Sequence, residues 1–141
     1  MCKWGAWTIE TACRQRAEWH RAGLLDAHCT LAVNISPRQF ASHSLMDCLQ
    51  QSLTLNQLPP QMLEVELTEG SLMQDTDATR RMLNDMRQLG VRLSVDDFGT
   101  GYSSLAYLKL FDIDTLKIDK SFVDKITLDK KDEAISASIV N

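Results

Sequence analysis

Apolar residues recur at steps of mostly three and four between positions 4 and 22, through Trp4, Trp7, Ile9, Ala12, Cys13, Ala17 and Trp19, with charged residues between them. This spacing predicts an amphipathic helix that Gly23 stops. Residues 30–35 form a short strand-like run closed by Ser36-Pro37, and Pro37 opens a second predicted helix that continues through Leu45, Leu49 and Leu53. The alternation then repeats. Residues 62–68 read as strand, 72–89 as a helix ended by Gly90, 91–95 as strand, 103–110 as a short helix after a glycine-containing loop, and 115–118 as strand. Over 130–141, Ala134, Ile135, Ser138 and Ile139 mark one face of a final helix with no capping residue after it.

Four strands separated by helices of crossover length imply βαβ units with right-handed connections, hence a parallel sheet and an α/β fold. A complete (β/α)8 barrel takes about 250 residues. Four strands in 141 residues are roughly half of one, so the expectation is a partial TIM-like barrel over 1–141, without internal repeat or linker.

The 44% hydrophobic and 24% charged composition is that of a globular domain. A net charge of -4 argues against sequence-independent binding to polymeric nucleic acid, which needs a basic face. It leaves room for a small phosphate ester, because bound metal ions invert the sign of an acidic site. Cys2, Cys13, Cys29 and Cys48 make no CxxC pair and have no histidine at ligand spacing, so they read as reduced packing residues of a cytoplasmic chain. His20, His28 and His43 sit in polar surroundings and read as solvated surface. No apolar run reaches the roughly 20 residues of a membrane span, although a longer parent protein has room for an anchor elsewhere.

Function in parallel α/β folds sits at the carboxyl ends of strands, and these ends are acidic. The first carries Asn34, the second Glu66 and Glu69, the third Asp96 and Asp97, and the fourth Lys117 and Asp119. In the second strand, alternation puts Leu63, Val65 and Leu67 on one face and Glu64, Glu66 and Thr68 on the other. Taken alone, that is a half-exposed strand with a solvated face. Taken with its neighbours, it is a set of carboxylates converging where parallel strands are covered on both sides, which requires a cation. Oxygen donors without cysteine or histidine suit Mg²⁺ or Mn²⁺ better than zinc. Adjacent Asp96 and Asp97 offer one bridging carboxylate and one terminal ligand, the pattern of two-metal hydrolysis with ions about 3.5–4 Å apart. Lys117 has two readings, a surface lysine reaching past the helix layer or a cation that stabilises an attacking hydroxide or developing phosphoryl charge.

Asp97-Phe98-Gly99 matches the kinase metal-binding tripeptide, but neither H-R-D nor an upstream glycine-rich loop is present. Gly99-x-Gly101-x-x-Ser104 lacks the third glycine of a dinucleotide fingerprint and follows two aspartates that repel a pyrophosphate. The glycines fit a mobile loop at the mouth of the site, with Glu69 placed to accept hydrogen bonds from its backbone.

At these residues the chain resembles the EAL-domain family of cyclic-di-GMP phosphodiesterases. The resemblance runs through Val33-Asn34-Ile35-Ser36, Glu66-Leu67-Thr68-Glu69, Asp96-Asp97-Phe98-Gly99-Thr100-Gly101-Tyr102-Ser103-Ser104-Leu105 and Leu116-Lys117-Ile118-Asp119, and covers essentially the whole chain. It implies that Asn34, Glu66 and Asp96 ligate one Mg²⁺ or Mn²⁺ ion and that Asp96 with Asp97 ligates a second. Lys117 would contact the nucleophilic water, making it catalytic together with Asp96 and Asp97. Glu69 would anchor the loop formed by Phe98, Gly99, Thr100, Gly101, Tyr102, Ser103 and Ser104, which in the family links substrate, metal and dimerisation. The implied reaction is hydrolysis of cyclic-di-GMP to linear pGpG in a homodimer.

The resemblance also implies that the Glu-Ala-Leu segment belongs upstream of Trp4, and that a further catalytic glutamate and a glutamine belong to later strands. Residues 1–141 are then the central part of the barrel, probed alone an inactive piece of the enzyme. The competing readings are a cyclic-di-GMP-binding or regulatory module without turnover, a non-functional truncated frame, and another Mg²⁺-dependent barrel enzyme.

Overall fold

The computed structural model describes residues 3–74, 76–99 and 109–125. Helix α1, Lys3–Arg21, buries Gly5, Ile9, Cys13, Arg16 and Ala17, mostly four residues apart and therefore on one helical face. The tryptophans counted in the predicted pattern lie off this face: Trp4 is 76% and Trp7 58% exposed. At 3.6 residues per turn, position 7 falls nearly opposite the line through 5 and 9. Arg16 is fully buried and donates from Nε and Nη2 to the Cys29 carbonyl at 3.1 and 2.7 Å, and from Nη2 to the Asp26 carbonyl at 2.8 Å. These bonds fasten the connection that leads to the first strand. Gly23, at φ 71°, supplies the left-handed residue that ends the helix.

Strand β1, Leu31–Ile35, is followed by α2, Pro37–Phe40, and α3, Leu45–Leu55. The single helix expected from Pro37 through Leu53 is thus two helices. The Ser42 and Ser44 hydroxyls bond each other at 2.9 Å and Leu45 N–H donates to the Ser42 carbonyl, so serine side chains compete with helical bonding at the break. A 3₁₀ turn, Pro60–Met62, enters β2, Leu63–Thr68. The helix expected over 72–89 is also divided, into α4, Glu69–Leu72, and α5, Thr76–Leu89. Thr68 starts α4 early because its Oγ1 accepts the Ser71 N–H at 3.3 Å. Gly90, at φ 99°, closes α5 as expected.

Strand β3, Arg92–Phe98, runs three residues beyond its expected end, β4 is Thr115–Ile118 as expected, and a helix not foreseen, α6, spans Lys120–Lys125. The helices expected over 103–110 and 130–141 lie largely or wholly outside the described residues.

The four strands pair in the order β1-β2-β3-β4, every pair parallel. The α/β class and the alternation of parallel strands with helices are as the sequence implies. Val33, Ile35, Val65, Leu67, Leu93 and Val95 from the strands join Ile9, Cys13, Leu49, Leu83 and Met86 from the helices in one buried cluster. At about 1.5–3 kcal/mol for each large aliphatic side chain buried, this layer dominates the attachment of helices to sheet. At the end of the sheet where β3 begins, Asp114 Oδ2 accepts the Leu93 N–H at 2.8 Å and lies 3.4 Å from Arg87 Nη1.

Cys13 is buried, Cys48 half-buried and Cys29 exposed, all with free thiols. Burial pushes the Cys13 thiol up to about 11, with the neighbouring Cys48 acting in the same direction. Cys2 lies outside the described residues. Among the described residues no helix is long and apolar enough to cross a membrane.

Candidate functional site

Strand register decides which polar residues share a face. Asn34 is the partner of Glu66, Glu66 of Ser94, Thr68 of Asp96, and Ser94 of Thr115. Register partners in a parallel sheet project to the same side and residues two apart along a strand do likewise. Asn34, Glu66 and Asp96 therefore belong to one face, opposite the apolar layer that holds the helices.

The pairing of β3 with β4 jumps from Val95–Leu116 to Phe98–Ile118. Asp96 and Asp97 thus oppose the single residue Lys117, a β-bulge. Asp97 sits at φ 55°, a left-handed conformation that aspartate tolerates better than most side chains. A regular strand sends consecutive side chains to opposite faces, and a bulge suspends that alternation and re-aims a side chain. Asp96 Oδ1 accepts the Asp97 N–H at 3.0 Å. The bulge was not legible in the sequence, although two aspartates before Phe98-Gly99 are its outward sign.

The half-exposed reading of β2 does not hold. Glu64 is 8% and Glu66 5% exposed. Buried carboxylates need compensating charge, and each has one: Arg92 Nε lies 3.7 Å from Glu64, and Lys117 Nζ donates to Glu66 Oε1. Lys117 accordingly reaches across β3 to the acidic face and does not run out past the helix layer.

Glu69, the first residue of α4, is buried, and its Oε2 accepts the Gly99 N–H at 3.3 Å while Oε1 has no partner among the described residues. Gly99 has φ 100°, and a Cβ there would lie 2.6 Å from Phe122 side-chain atoms. Phe122 on α6 meets Phe98 edge to face at 6.2 Å. Phe122 is a contributor that sequence reasoning missed; its helix follows β4 with only Asp119 between, and Asp119 caps it by accepting the Ser121 N–H at 2.7 Å. Thr100, Gly101, Tyr102, Ser103 and Ser104 lie outside the described residues.

Asn34 is exposed and borders an open cavity of about 600 Å³ that Trp4, Thr8, Ser36 and Arg38 also line. The donors expected for a metal, Asn34, Glu66, Asp96 and Asp97, are all oxygen donors at strand ends, the chemistry that suits a hard divalent ion. Among the described residues no three His, Cys, Asp or Glu side chains converge as a metal-holding group. The donor chemistry fits, and the ligand cage is not closed by these side chains alone.

A family profile described as "EAL domain" matches residues 3–141. The chain is similar to the signaling protein YkoW of Bacillus subtilis, 46% identical over 136 residues that cover 96% of this chain and 17% of that protein. It is 42% identical to the bifunctional diguanylate cyclase/cyclic di-GMP phosphodiesterase MucR of Pseudomonas aeruginosa, covering 96% of this chain and 20% of that protein. The solved PaMucR phosphodiesterase in complex with c-di-GMP superposes with a TM-score of 0.83, over 96% of this chain and 54% of that one. BlrP1 of Klebsiella pneumoniae, solved with manganese and cy-diGMP, gives 30% identity and a TM-score of 0.73, over 96% of this chain and 34% of that one. The chain thus spans about a fifth of these curated relatives and about half of the MucR structure. The structural neighbours are EAL domains, which are TIM-like barrels, and the four strands here follow part of that architecture. The profile match takes in nearly every residue, and the chain belongs to the EAL domain family.

Proposed function

We propose that this chain supplies the Asn34–Glu66–Asp96–Asp97 side of a metal-dependent phosphodiesterase site that hydrolyses cyclic-di-GMP to linear pGpG. The observation that carries the reading is the register: Asn34 beside Glu66, and Asp96 beside Thr68 two positions on, set oxygen donors from three adjacent strands on one face. The relatives named for cyclic-di-GMP turnover supply the substrate class.

Asn34, Glu66 and Asp96 would hold one Mg²⁺ or Mn²⁺ ion, and Asp96 with Asp97 a second. When bound, the ions supply activation of water and neutralisation of charge on the phosphoryl oxygens. Lys117 contributes a fixed positive charge on the same face, where it stabilises the anionic character of the attacking oxygen and of the phosphoryl group. Glu69 accepts the Gly99 N–H and so fixes the residue that leads into the segment assigned to substrate. The reading extends to a homodimer working in the cytoplasm.

A second reading, a cyclic-di-GMP receptor without turnover, draws on one observation: the Glu66–Lys117 pair already neutralises Glu66 without an ion. Liquid chromatography of cyclic-di-GMP incubated with the full-length protein and Mn²⁺ separates the two. Accumulation of pGpG, reduced on the order of 10²- to 10³-fold by Asp96→Asn, is the expected result. Binding of cyclic-di-GMP with no pGpG would leave the receptor, and undiminished turnover by Asp96→Asn would remove the two-metal assignment.

A further inference from the structure

The amide of Asn34 makes no hydrogen bond to the described residues, so its position depends on the backbone that carries it. That backbone leaves the strand immediately afterwards. Ile35 ends β1, Ser36 is extended at φ -68° and ψ 158°, and α2 is a single turn of four residues beginning at Pro37. One turn of helix is not stable by itself. Here it is held by a reciprocal capping box: Ser36 N–H donates to Gln39 Oε1 at 2.9 Å, and Gln39 N–H donates to Ser36 Oγ at 3.3 Å.

A second contact fixes the same glutamine. Gly5 is buried in the first turn of α1, and a Cβ built on it would lie 2.3 Å from Gln39 Nε2, 3.0 Å from Cδ and 3.2 Å from Cγ. Three consecutive atoms of Gln39 thus lie directly over the Gly5 backbone. Any side chain at position 5 displaces the Gln39 amide as a whole, including the Oε1 that caps Ser36. A glycine inside a helix costs about 1 kcal/mol relative to alanine, and this close approach is a physical reason for having one at this position.

We propose that Gly5 and Gln39 are a positioning pair that locks α1 against the carboxyl end of β1, and thereby aims the Asn34 amide into the metal-binding mouth. This deepens the phosphodiesterase reading and rests on its assignment of Asn34 as a ligand. Both are positioning residues: neither would touch metal or substrate for this purpose, and they act through Ser36 and Asn34.

The test is titration calorimetry of the full-length protein with MnCl₂, beside circular dichroism and turnover. Gln39→Ala and Gly5→Ala should each remain folded and weaken Mn²⁺ binding about tenfold, the lower end of what supporting residues around a metal contribute. The double variant should bind no worse than Gln39→Ala alone, because both changes break one link. Gln39→Glu, which preserves a capping box, should stay within about threefold of the unaltered protein. Should Gln39→Ala fail to fold, Ser36→Ala removes the other half of the box and carries the same expectation. Unaltered Mn²⁺ affinity in Gly5→Ala and Gln39→Ala, while Asn34→Ala binds weakly, overturns the positioning pair and leaves the metal reading standing. Gln39→Glu losing as much affinity as Gln39→Ala also overturns it. Unaltered affinity in Asn34→Ala removes the ligand itself, and the proposal with it.

Discussion

Gly99 donates its backbone N–H to Glu69 Oε2 at 3.3 Å, joining the residue after β3 to the first residue of α4. The carboxylate is buried and its other oxygen has no partner among the described residues, so it contributes little to the core and much to where β3 ends. Glu69→Ala should therefore leave circular dichroism unchanged while lowering cyclic-di-GMP turnover by about tenfold or more, as for loss of a supporting contact. Collapse of the secondary structure would show Glu69 to be a core residue, and the loop-anchor role would be lost.

At Gly99 the backbone and the neighbouring ring act together. A side chain there is strained by φ 100° and meets Phe122 at 2.6 Å. Gly99→Ala should lower stability by about 1–3 kcal/mol in denaturant unfolding. Phe122→Ala in the same chain should remove the contacts with the ring carbons but neither the contact with the Phe122 Cβ nor the dihedral strain, so the double variant should be less destabilised than the two single losses added together. Strict additivity would show that the ring and the glycine do not meet.

The order of strands and helices was legible because strand runs and helical steps are local signals, and the acidic strand ends stood out for the same reason. What escaped the sequence is set by contacts between distant segments. The apolar steps from Phe40 to Leu45 and Leu49 continue through the break at Ser42, so periodicity could not see two helices. Trp4 and Trp7 weigh heavily as apolar residues yet lie off the face defined by Gly5, Ile9 and Cys13. Asp97 leaves strand alternation only because β4 pairs across a bulge. The burial of Glu64 and Glu66 depends on Arg92 and Lys117, which lie on other strands.

Asp112 and Asp114 both face Arg87, yet they should differ sharply on mutation. Asp112 lies 2.6 Å from Arg87 but its side chain is 81% exposed, and exposed ion pairs contribute about 0–1 kcal/mol. Asp114 is 29% exposed at its side chain and also receives the Leu93 N–H at 2.8 Å. Removing that acceptor leaves a half-buried amide of β3 unsatisfied, which costs about 1–3 kcal/mol. Denaturant unfolding should rank Asp114→Ala well below Asp112→Ala, and equal losses would show that Asp114 acts only as a surface charge.

The thiols should separate by exposure and by pH. Cys29 is exposed, whereas burial raises the Cys48 thiol and pushes Cys13 up to about 11. Only the thiolate reacts with an alkylating reagent, so at pH 8, of the three described thiols, Cys29 should label first and Cys13 only on unfolding. The sign of the linkage follows: a folded pKa above the ordinary 9.0 means that Cys13 contributes stability below pH 9, lost as pH rises through about 11. Mass spectrometry of labelled peptides checks the order, and rapid labelling of Cys13 in the folded chain would contradict its burial.

Lys117 and Glu66 form a charge pair on the acidic face, and the two members are unequally placed. The Glu66 side chain is 6% exposed and that of Lys117 43%. Losing the lysine leaves a buried carboxylate uncompensated, whereas losing the carboxylate leaves a lysine that water can solvate. Lys117→Ala should therefore destabilise the metal-free protein by about 1–3 kcal/mol, below the 3–5 kcal/mol of a fully buried pair because the lysine is partly solvated. Glu66→Gln, which neutralises the buried group, should cost less, and Lys117→Ala combined with Glu66→Gln should be more stable than Lys117→Ala alone. If Glu66 is also a metal ligand, added Mn²⁺ should raise the melting temperature of Lys117→Ala more than that of the unaltered protein, because the ion then supplies the missing positive charge. Thermal unfolding with and without Mn²⁺ measures both terms. Equal metal shifts in the two proteins would separate Glu66 from the metal, and an unchanged stability of Lys117→Ala would remove the pair itself.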